Sequence, residues 1–521
     1  RAVARRNQLG VEEVKVGQYL VIEGEQQQFF AMLTDVALAA AHPAYASQPP
    51  DTSDPFVAAV VRGTATYGEL SATPMLSLER PAGPAEPRPV KTVPPHYAPA
   101  YLASDQDVEA VFGAAGKQFF AVGQPLDMET WINLSLERLV ERSVGIFGKT
   151  GTGKTFLTRL LLAGLLHCDA AVTLIFDMHN EYGWKGTSEG PTGEVKGLKQ
   201  LFGNRVAIFT LDPDSTRQRG GTYDFEVQIG YDQILPEDME LLRDALEMTQ
   251  AQVETVYRLG QVYGEHEWFG RFIAMDTDER EELARRLGLN PGTLNVLQRK
   301  LHTRLGRLGF LRPNVAQDAV QAILGYLGRG MSVVLEFGRL NQLDAYMLVA
   351  NVLTRRIHER YVDLTERAMG DRRSEPRHLM ITIEEAHKFL SPSVAGHTIF
   401  GTIARELRKY HVTLLVVDQR PSGIADEILS QIGTKMCCLL DDERDVSAVL
   451  AGVSGAGHLR DVLARLDTKQ QALILGHAVP MPVVIRTRAY GPDLYSAVGF
   501  AEGADLKKQA EDDSKLLWGD R

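Results

Sequence analysis

The chain has 521 residues, with 56 Lys and Arg against 67 Asp and Glu, for a net charge of −11. Its cysteines, Cys168, Cys437 and Cys438, show no C-x-x-C spacing, so neither a disulfide framework nor a zinc site is implied. No apolar run approaches the ~18 residues needed to cross a bilayer, so the expectation is a cytoplasmic protein with no membrane insertion. The acidic balance does not advertise nucleic-acid binding but leaves room for a local basic channel.

Residues 14–24, 28–38 and 54–68 alternate apolar and polar side chains with turn signals between them, which predicts short strands in a small barrel or sandwich. A proline-rich stretch, 74–99, follows as a linker or long loop. Val144–Phe147 is then a short apolar run that leads directly into Gly148–Thr155, a G-x-x-x-x-G-K-T pattern, and a helix-like apolar pattern follows through Leu162. Strand, glycine loop and helix in that order are the context of a phosphate-binding loop. Gly148, Lys149, Thr150, Gly151, Thr152, Gly153, Lys154, Thr155 and Phe156 are the candidate nucleotide contacts. The glycines let backbone N–H groups turn inward. Lys154 is placed to reach the β and γ phosphates of ATP, and the Thr155 hydroxyl to ligate Mg²⁺.

Apolar runs at 170–177, 206–212, 332–338, 378–385 and 412–419 are rich in Val, Ile and Leu. They suit strands covered on both faces of a parallel sheet. Residues 236–328 have amphipathic, helical texture with no convincing strand, and are read as a helical insertion. Strands return at 471–478 and 481–490, and a charged tail closes the chain. The expected division is 1–125, a small β domain; 126–235 with 329–490, the α/β core; 236–328, the insertion; and 491–521, the tail.

The run at 378–385 ends in paired carboxylates, Glu384 and Glu385. Such a pair beside a phosphate loop suits a metal shell (Glu384) and a group that orients or deprotonates the attacking water (Glu385). Gln419 follows the next strand as a candidate γ-phosphate sensor. Asp177, a further candidate nucleotide contact, ends the strand after the loop helix, with His179 and Glu181 just beyond as groups able to touch Mg²⁺, water or nucleic acid.

Together these motifs resemble the HerA family of hexameric DNA-translocating ATPases, in the HerA–FtsK branch of P-loop enzymes. The resemblance runs from about Val14 to Tyr490. Its carriers are VGQYLVIEG near the N-terminus, Arg142 upstream of Lys154, FDMHNEY, IEEAHKFL and ARELRKYHVTLLVVDQRPSGI. Two departures stand out: Glu384 where the family has Asp, and Asp418 where a small residue or Ser precedes the Gln. The resemblance implies a RecA-like α/β ATPase domain and an N-terminal HAS-like β-barrel. It implies ATP and Mg²⁺ as cofactors, double-stranded DNA as substrate and a homo-oligomeric ring, hexameric in the family. It also implies a nuclease partner of the NurA kind in DNA end processing and repair. Motor subunits of antiviral defence complexes and conjugation or secretion pumps are the alternatives. Catalysis would rest on Lys154, Glu384, Glu385 and Gln419, with an arginine reaching the γ-phosphate from a neighbouring subunit; Arg142, Arg405 and Arg408 are the candidates. DNA phosphates would meet the basic face of 299–313, with Lys185, Lys196 and Lys199 as further candidates.

Overall fold

The computed structural model describes residues 3–4, 14, 17–40, 51–61, 66–79, 87–114, 116–126, 128–187, 193–340, 342–369, 375–453, 456–464, 466–467 and 469–500. Most of the tail expected at 491–521 lies outside these residues. The chain forms two compact units, one from 1–135 with 436–488 and the other from 136–435 with 489–521.

In the first unit, β1 (Val3–Ala4), β2 (Tyr19–Glu23), β3 (Gln27–Ala40), β4 (Thr66–Glu79), β5 (Arg88–Pro89) and β6 (Pro99–Leu102) form a six-stranded sheet in the order β1-β6-β2-β3-β4-β5. All its pairs are antiparallel except β1 with β6. The period of two places Leu20, Ile22, Phe29, Ala31 and Leu33 in one apolar core with Val14 and Ala98. Residues 54–68, read from the sequence as one strand, divide differently. Pro55–Val60 is a short helix, because Asp54 accepts the Phe56 and Val57 amides and Pro55 occupies the first helical turn. The strand begins only at Thr66. The proline-rich stretch contributes the end of β4, the short edge strand β5, a position that suits proline, and the first residue of β6. The same unit holds an antiparallel set made by β7 (Phe119–Gln124), β8 (Ile132–Ser135) and the two C-terminal strands Gln471–Gly476 and Val483–Thr487.

The second unit is built on β9 (Val144–Phe147), β10 (Val172–Asp177), the small hairpin β11 (Lys185–Thr187) and β12 (Glu194–Lys196), β13 (Val206–Thr210), β14 (Phe225–Glu226), β15 (Ile229–Gly230), β16 (Leu311–Arg312), β17 (Ser332–Glu336), β18 (Leu379–Glu384) and β19 (Val412–Asp418). Its sheet runs β14-β13-β17-β10-β18-β19-β9, every pair parallel. Every residue of β9, β10, β13, β17, β18 and β19 is buried, because helices cover both faces. The fold class is therefore α/β with a large parallel sheet. Residues 236–328 carry helices Asp238–Leu241, Gln250–Tyr263, Trp268–Ala274, Thr277–Leu287, Pro291–Arg304 and Ala319–Gly328, with only the two-residue β16 as extended structure.

A buried ion pair pins the start of this helical segment to the long helix Leu343–Ala368. Asp238 is fully buried and takes a two-pronged contact from Arg355, at 2.7 and 3.3 Å. The Asn351 amide and the Leu235 N–H also donate to it, each at 2.8 Å. Burial still pushes the Asp238 carboxyl above its usual range, against the pull of Arg355. Removing the cation leaves that carboxylate without its counter-charge. Arg355→Ala is expected to cost about 3–5 kcal/mol, read as a loss of stability in denaturant titration. A loss within ~0.5 kcal/mol, the range of an ordinary surface substitution, would show that the pair contributes nothing.

Candidate active site

A parallel sheet puts the C-terminal ends of all its strands on one edge, and ligands in open α/β sheets bind outside that edge. Here the edge carries Glu336, Asp177, Glu384, Asp418 and Phe147 from successive strands. The register fixes their neighbours: Asp177 beside Glu336, Glu384 beside Val417, and Asp418 beside Phe147. The chain leaves β9 into the glycine loop. Gly151 and Gly153 adopt φ of 80° and 97°, a left-handed conformation that a side chain would strain. Helix Lys154–His167 starts directly on Gly153 without a side-chain cap, so its positive end is set against the glycine loop, as suits an anion. The Lys154 ammonium donates to the Lys149 carbonyl at 3.0 Å, and the Thr152 hydroxyl to the same oxygen at 2.7 Å, closing the loop on itself. Thr155 and Phe156 are half-buried on the first helical turn.

The paired carboxylates split. Glu384 is 8% exposed; its Oε1 accepts the Tyr182 hydroxyl at 2.8 Å, and its Oε2 has no hydrogen-bond partner among the described residues. Burial is the main cause that pushes its carboxyl up to about 7, against the Tyr182 hydrogen bond. The Tyr346 hydroxyl accepts the Glu384 N–H at 3.0 Å and donates to the Glu384 carbonyl at 3.2 Å. Glu385 turns away with φ of 49°, unusual for a residue with a side chain and typical of strained functional positions. Gln419 lies between the two halves of the site. Its amide nitrogen donates to Glu385 Oε1 at 3.0 Å, and its oxygen accepts the Thr150 hydroxyl at 2.6 Å. The phosphate loop and the second carboxylate are thus tied through one side chain. Asp418 is buried and accepts the His387 amide at 2.6 Å and ring Nδ1 at 2.9 Å; the same Nδ1 lies 3.7 Å from Glu385.

Asp177 faces the site differently from a free ligand. It is fully buried, and its oxygens accept the amides of Glu181 and Tyr182, each at 2.8 Å. Burial pushes its carboxyl up to about 7 despite those amides, and Glu336 and Glu384 add to the rise. His179 is exposed. Neither Arg142 nor Arg405 is seen to bond a residue of the phosphate loop or the paired carboxylates among the described residues. Arg142 is exposed on the turn before β9, at the opposite end of that strand from the loop. Arg405 is tied down locally, donating to the Gly401 and Ala395 carbonyls at 3.0 Å each and to Glu427 at 3.2 Å. Arg408 lies in the turn Leu407–Tyr410, and its side chain falls outside the described residues.

The sequence reading passed over Tyr182, Tyr346, His387 and Arg159. Tyr182 and His387 stood inside the strings that carried the family resemblance, so a signal existed. Tyr346 had none. Arg159 sits on the loop helix and is 1% exposed, which a charged residue in an apolar run does not advertise. Its guanidinium donates to the Glu181 carbonyl at 2.6 Å and lies 5.4, 6.0 and 5.9 Å from the rings of Phe156, Tyr182 and Tyr490.

Residues 120–357 match the family described as the central domain of helicase HerA. Over this span the chain is similar to the HerA family. It is 24% identical over 431 residues to the DNA double-strand break repair helicase HerA of Sulfurisphaera tokodaii, covering 81% of this chain and 80% of that protein. With the HerA of Pyrococcus furiosus it is 24% identical over 414 residues, 74% and 72% of the two chains. Among solved structures, VirB4 of Thermoanaerobacter pseudethanolicus aligns with a TM-score of 0.44 at 15% identity, covering 73% of this chain and 99% of that one. With this similarity and an intact phosphate loop, the chain is an ATPase.

Gly186 on the hairpin packs directly under the Arg159 guanidinium, where an added Cβ would collide with it. Gly186→Ala is expected to lower stability by about 1–3 kcal/mol, the cost of overpacking. Gly325→Ala, at a helical glycine with open space around it, gains up to about 1 kcal/mol. Thermal denaturation of both variants checks the contrast; equal effects would mean that Arg159 moves aside freely.

Proposed function

We propose that this chain is a ring-forming motor that couples ATP hydrolysis to movement along double-stranded DNA. The observation that carries the chemistry is the Gln419 bridge between Thr150 of the loop and Glu385. It puts a γ-phosphate-facing amide in contact with the residue suited to order the attacking water. Gly148–Thr155 wraps the phosphates, and Lys154 exchanges its Lys149 carbonyl for phosphate oxygens. The Thr155 hydroxyl and Glu384 would hold the Mg²⁺ shell. The unpartnered buried Oε2 of Glu384 fits that role, since an orphaned carboxylate oxygen costs free energy until something donates to it. Mg²⁺, when bound, neutralises phosphate charge. Phe156 borders the bound nucleotide, while Asp177 acts by shaping the turn that carries Glu181 and Tyr182.

A trans arginine completes such sites in a ring. Arg142 fits this role better than Arg405. It lies at the far end of β9 from its own loop, whereas the Arg405 guanidinium is already engaged at three acceptors. For DNA, Arg299, Arg307 and Arg312 are exposed, while Lys300 donates to the Glu247 carbonyl and Arg304 to the Ala245 carbonyl. The first three are the phosphate contacts we favour. The ring is hexameric in this reading and works with a NurA-like nuclease, the six-stranded sheet of the first unit being its docking element.

Glu385→Gln is expected to bind ATP with near wild-type affinity and to hydrolyse it about 10²–10⁴-fold more slowly, the range for loss of a general base. Nucleotide titration and single-turnover rates measure both halves, and hydrolysis at the wild-type rate would remove Glu385 from this role. The ATP-loaded variant should bind duplexes of unrelated sequence equally. The log–log salt slope should be roughly −0.9 per phosphate contact, and smaller in an Arg299→Ala, Arg307→Ala, Arg312→Ala triple variant. An unchanged slope places the DNA elsewhere.

A further inference from the structure

Glu384 is held twice by tyrosines, and the two contacts do different things. Tyr346 fixes the backbone of Glu384 at both its N–H and its carbonyl. Tyr182 touches only the carboxylate, donating to Oε1 at 2.8 Å. Tyr182 itself has little freedom. Its N–H donates to Asp177 at 2.8 Å, its carbonyl accepts the Leu198 N–H at 2.8 Å, and its ring faces Arg159. The side chain is fully buried. Burial and the neighbouring Glu384 hold the phenol protonated far above its ordinary range, so its hydroxyl acts as a donor.

A glutamate carries its carboxylate one methylene farther than an aspartate, with one more torsion to fix. In an unrestrained glutamate at this strand end, either oxygen would be available. Here Oε1 is taken and Oε2 is the oxygen left without a partner. We propose that Tyr182 is a positioning residue for Glu384, its hydroxyl engaging Oε1 so that Oε2 alone is offered to the cation shell of the bound nucleotide. This rests on the assignment of Glu384 to that shell. The Arg159 cage and the turn built on Asp177 hold the tyrosine in place, so the positioning extends into the loop helix. A charge-assisted hydrogen bond of this kind is worth more than a neutral one, and it lies in a water-poor setting where its geometry is enforced by packing.

The test is binding of a fluorescent ATP analogue to the full chain, in Mg²⁺ and in EDTA. For the wild type, Mg²⁺ tightens binding. Tyr182→Phe should reduce that gain roughly tenfold, the scale of one hydrogen bond to a charged group, and leave the EDTA affinity unchanged. Glu384→Gln should reduce the gain at least as much, and the double variant no further. Glu384→Asp shortens the side chain away from the hydroxyl while every tyrosine stays in place. In that background Tyr182→Phe should change nothing; a further loss there would mark a structural role for Tyr182 and overturn the proposal. A full Mg²⁺ gain in Tyr182→Phe overturns the proposal, as does an equal loss of affinity in EDTA, which marks a purely structural role. Should Glu384→Gln itself keep the full gain, the assignment of Glu384 to the cation shell fails first, and this inference with it.

Discussion

The Gln419 side chain, one amide spanning the Thr150 hydroxyl and the Glu385 carboxylate, is the contact on which the geometry of the site depends. It can exist only because β19 lies between β9 and β18 in a parallel sheet. That order sets the end of one strand, with its glutamine, between the glycine loop and the paired carboxylates. The sheet is buried on both faces, so the strand ends cannot shift independently without breaking a close-packed interior. What the edge presents is therefore fixed by the core behind it. The loop and Glu385 are joined through one side chain by two hydrogen bonds.

The same edge collects carboxylates that repel one another, and the structure handles each by a separate device. Asp177 is satisfied by backbone amides, Glu336 by Arg219 at 2.5 Å and the Thr216 hydroxyl at 3.0 Å, and Asp418 by His387. Glu384 is the one with an oxygen left over. Burial without a full set of donors is costly, and such costs are retained where a ligand repays them. The free oxygen of Glu384 and the left-handed backbone of Glu385 are adjacent departures from local rules at this edge.

Much of the fold was legible in the sequence because its signals are local. Val144–Phe147 with Gly148–Thr155 announces strand, turn and helix in one stretch. The Val-, Ile- and Leu-rich runs announce strands buried on both faces. The helix at Pro55–Val60 escaped because Ala, Val and Phe suit a strand as well as a short helix; the Asp54 cap and Pro55 were the deciding signal. Strand order was not legible, since nothing in β18 names β19 and β10 as its neighbours. The use of Asp177 as an acceptor for its own turn depends on the positions of two amides downstream. The burial of Arg159 depends on Tyr490, more than 300 residues away. The local ties of Arg405 were equally invisible. An arginine near the end of a helix looks the same in sequence whether its guanidinium is engaged or free.

The central claim is that this edge burns ATP to move duplex DNA, and wild-type steady-state turnover tests it directly. ATP hydrolysis by the purified chain would be measured at low salt, with and without linear duplexes of unrelated sequence. The account predicts a rate that rises with every duplex regardless of sequence, and a rise that fades as salt displaces the phosphate contacts. Turnover indifferent to DNA at low salt, in a chain that hydrolyses ATP readily, would contradict it.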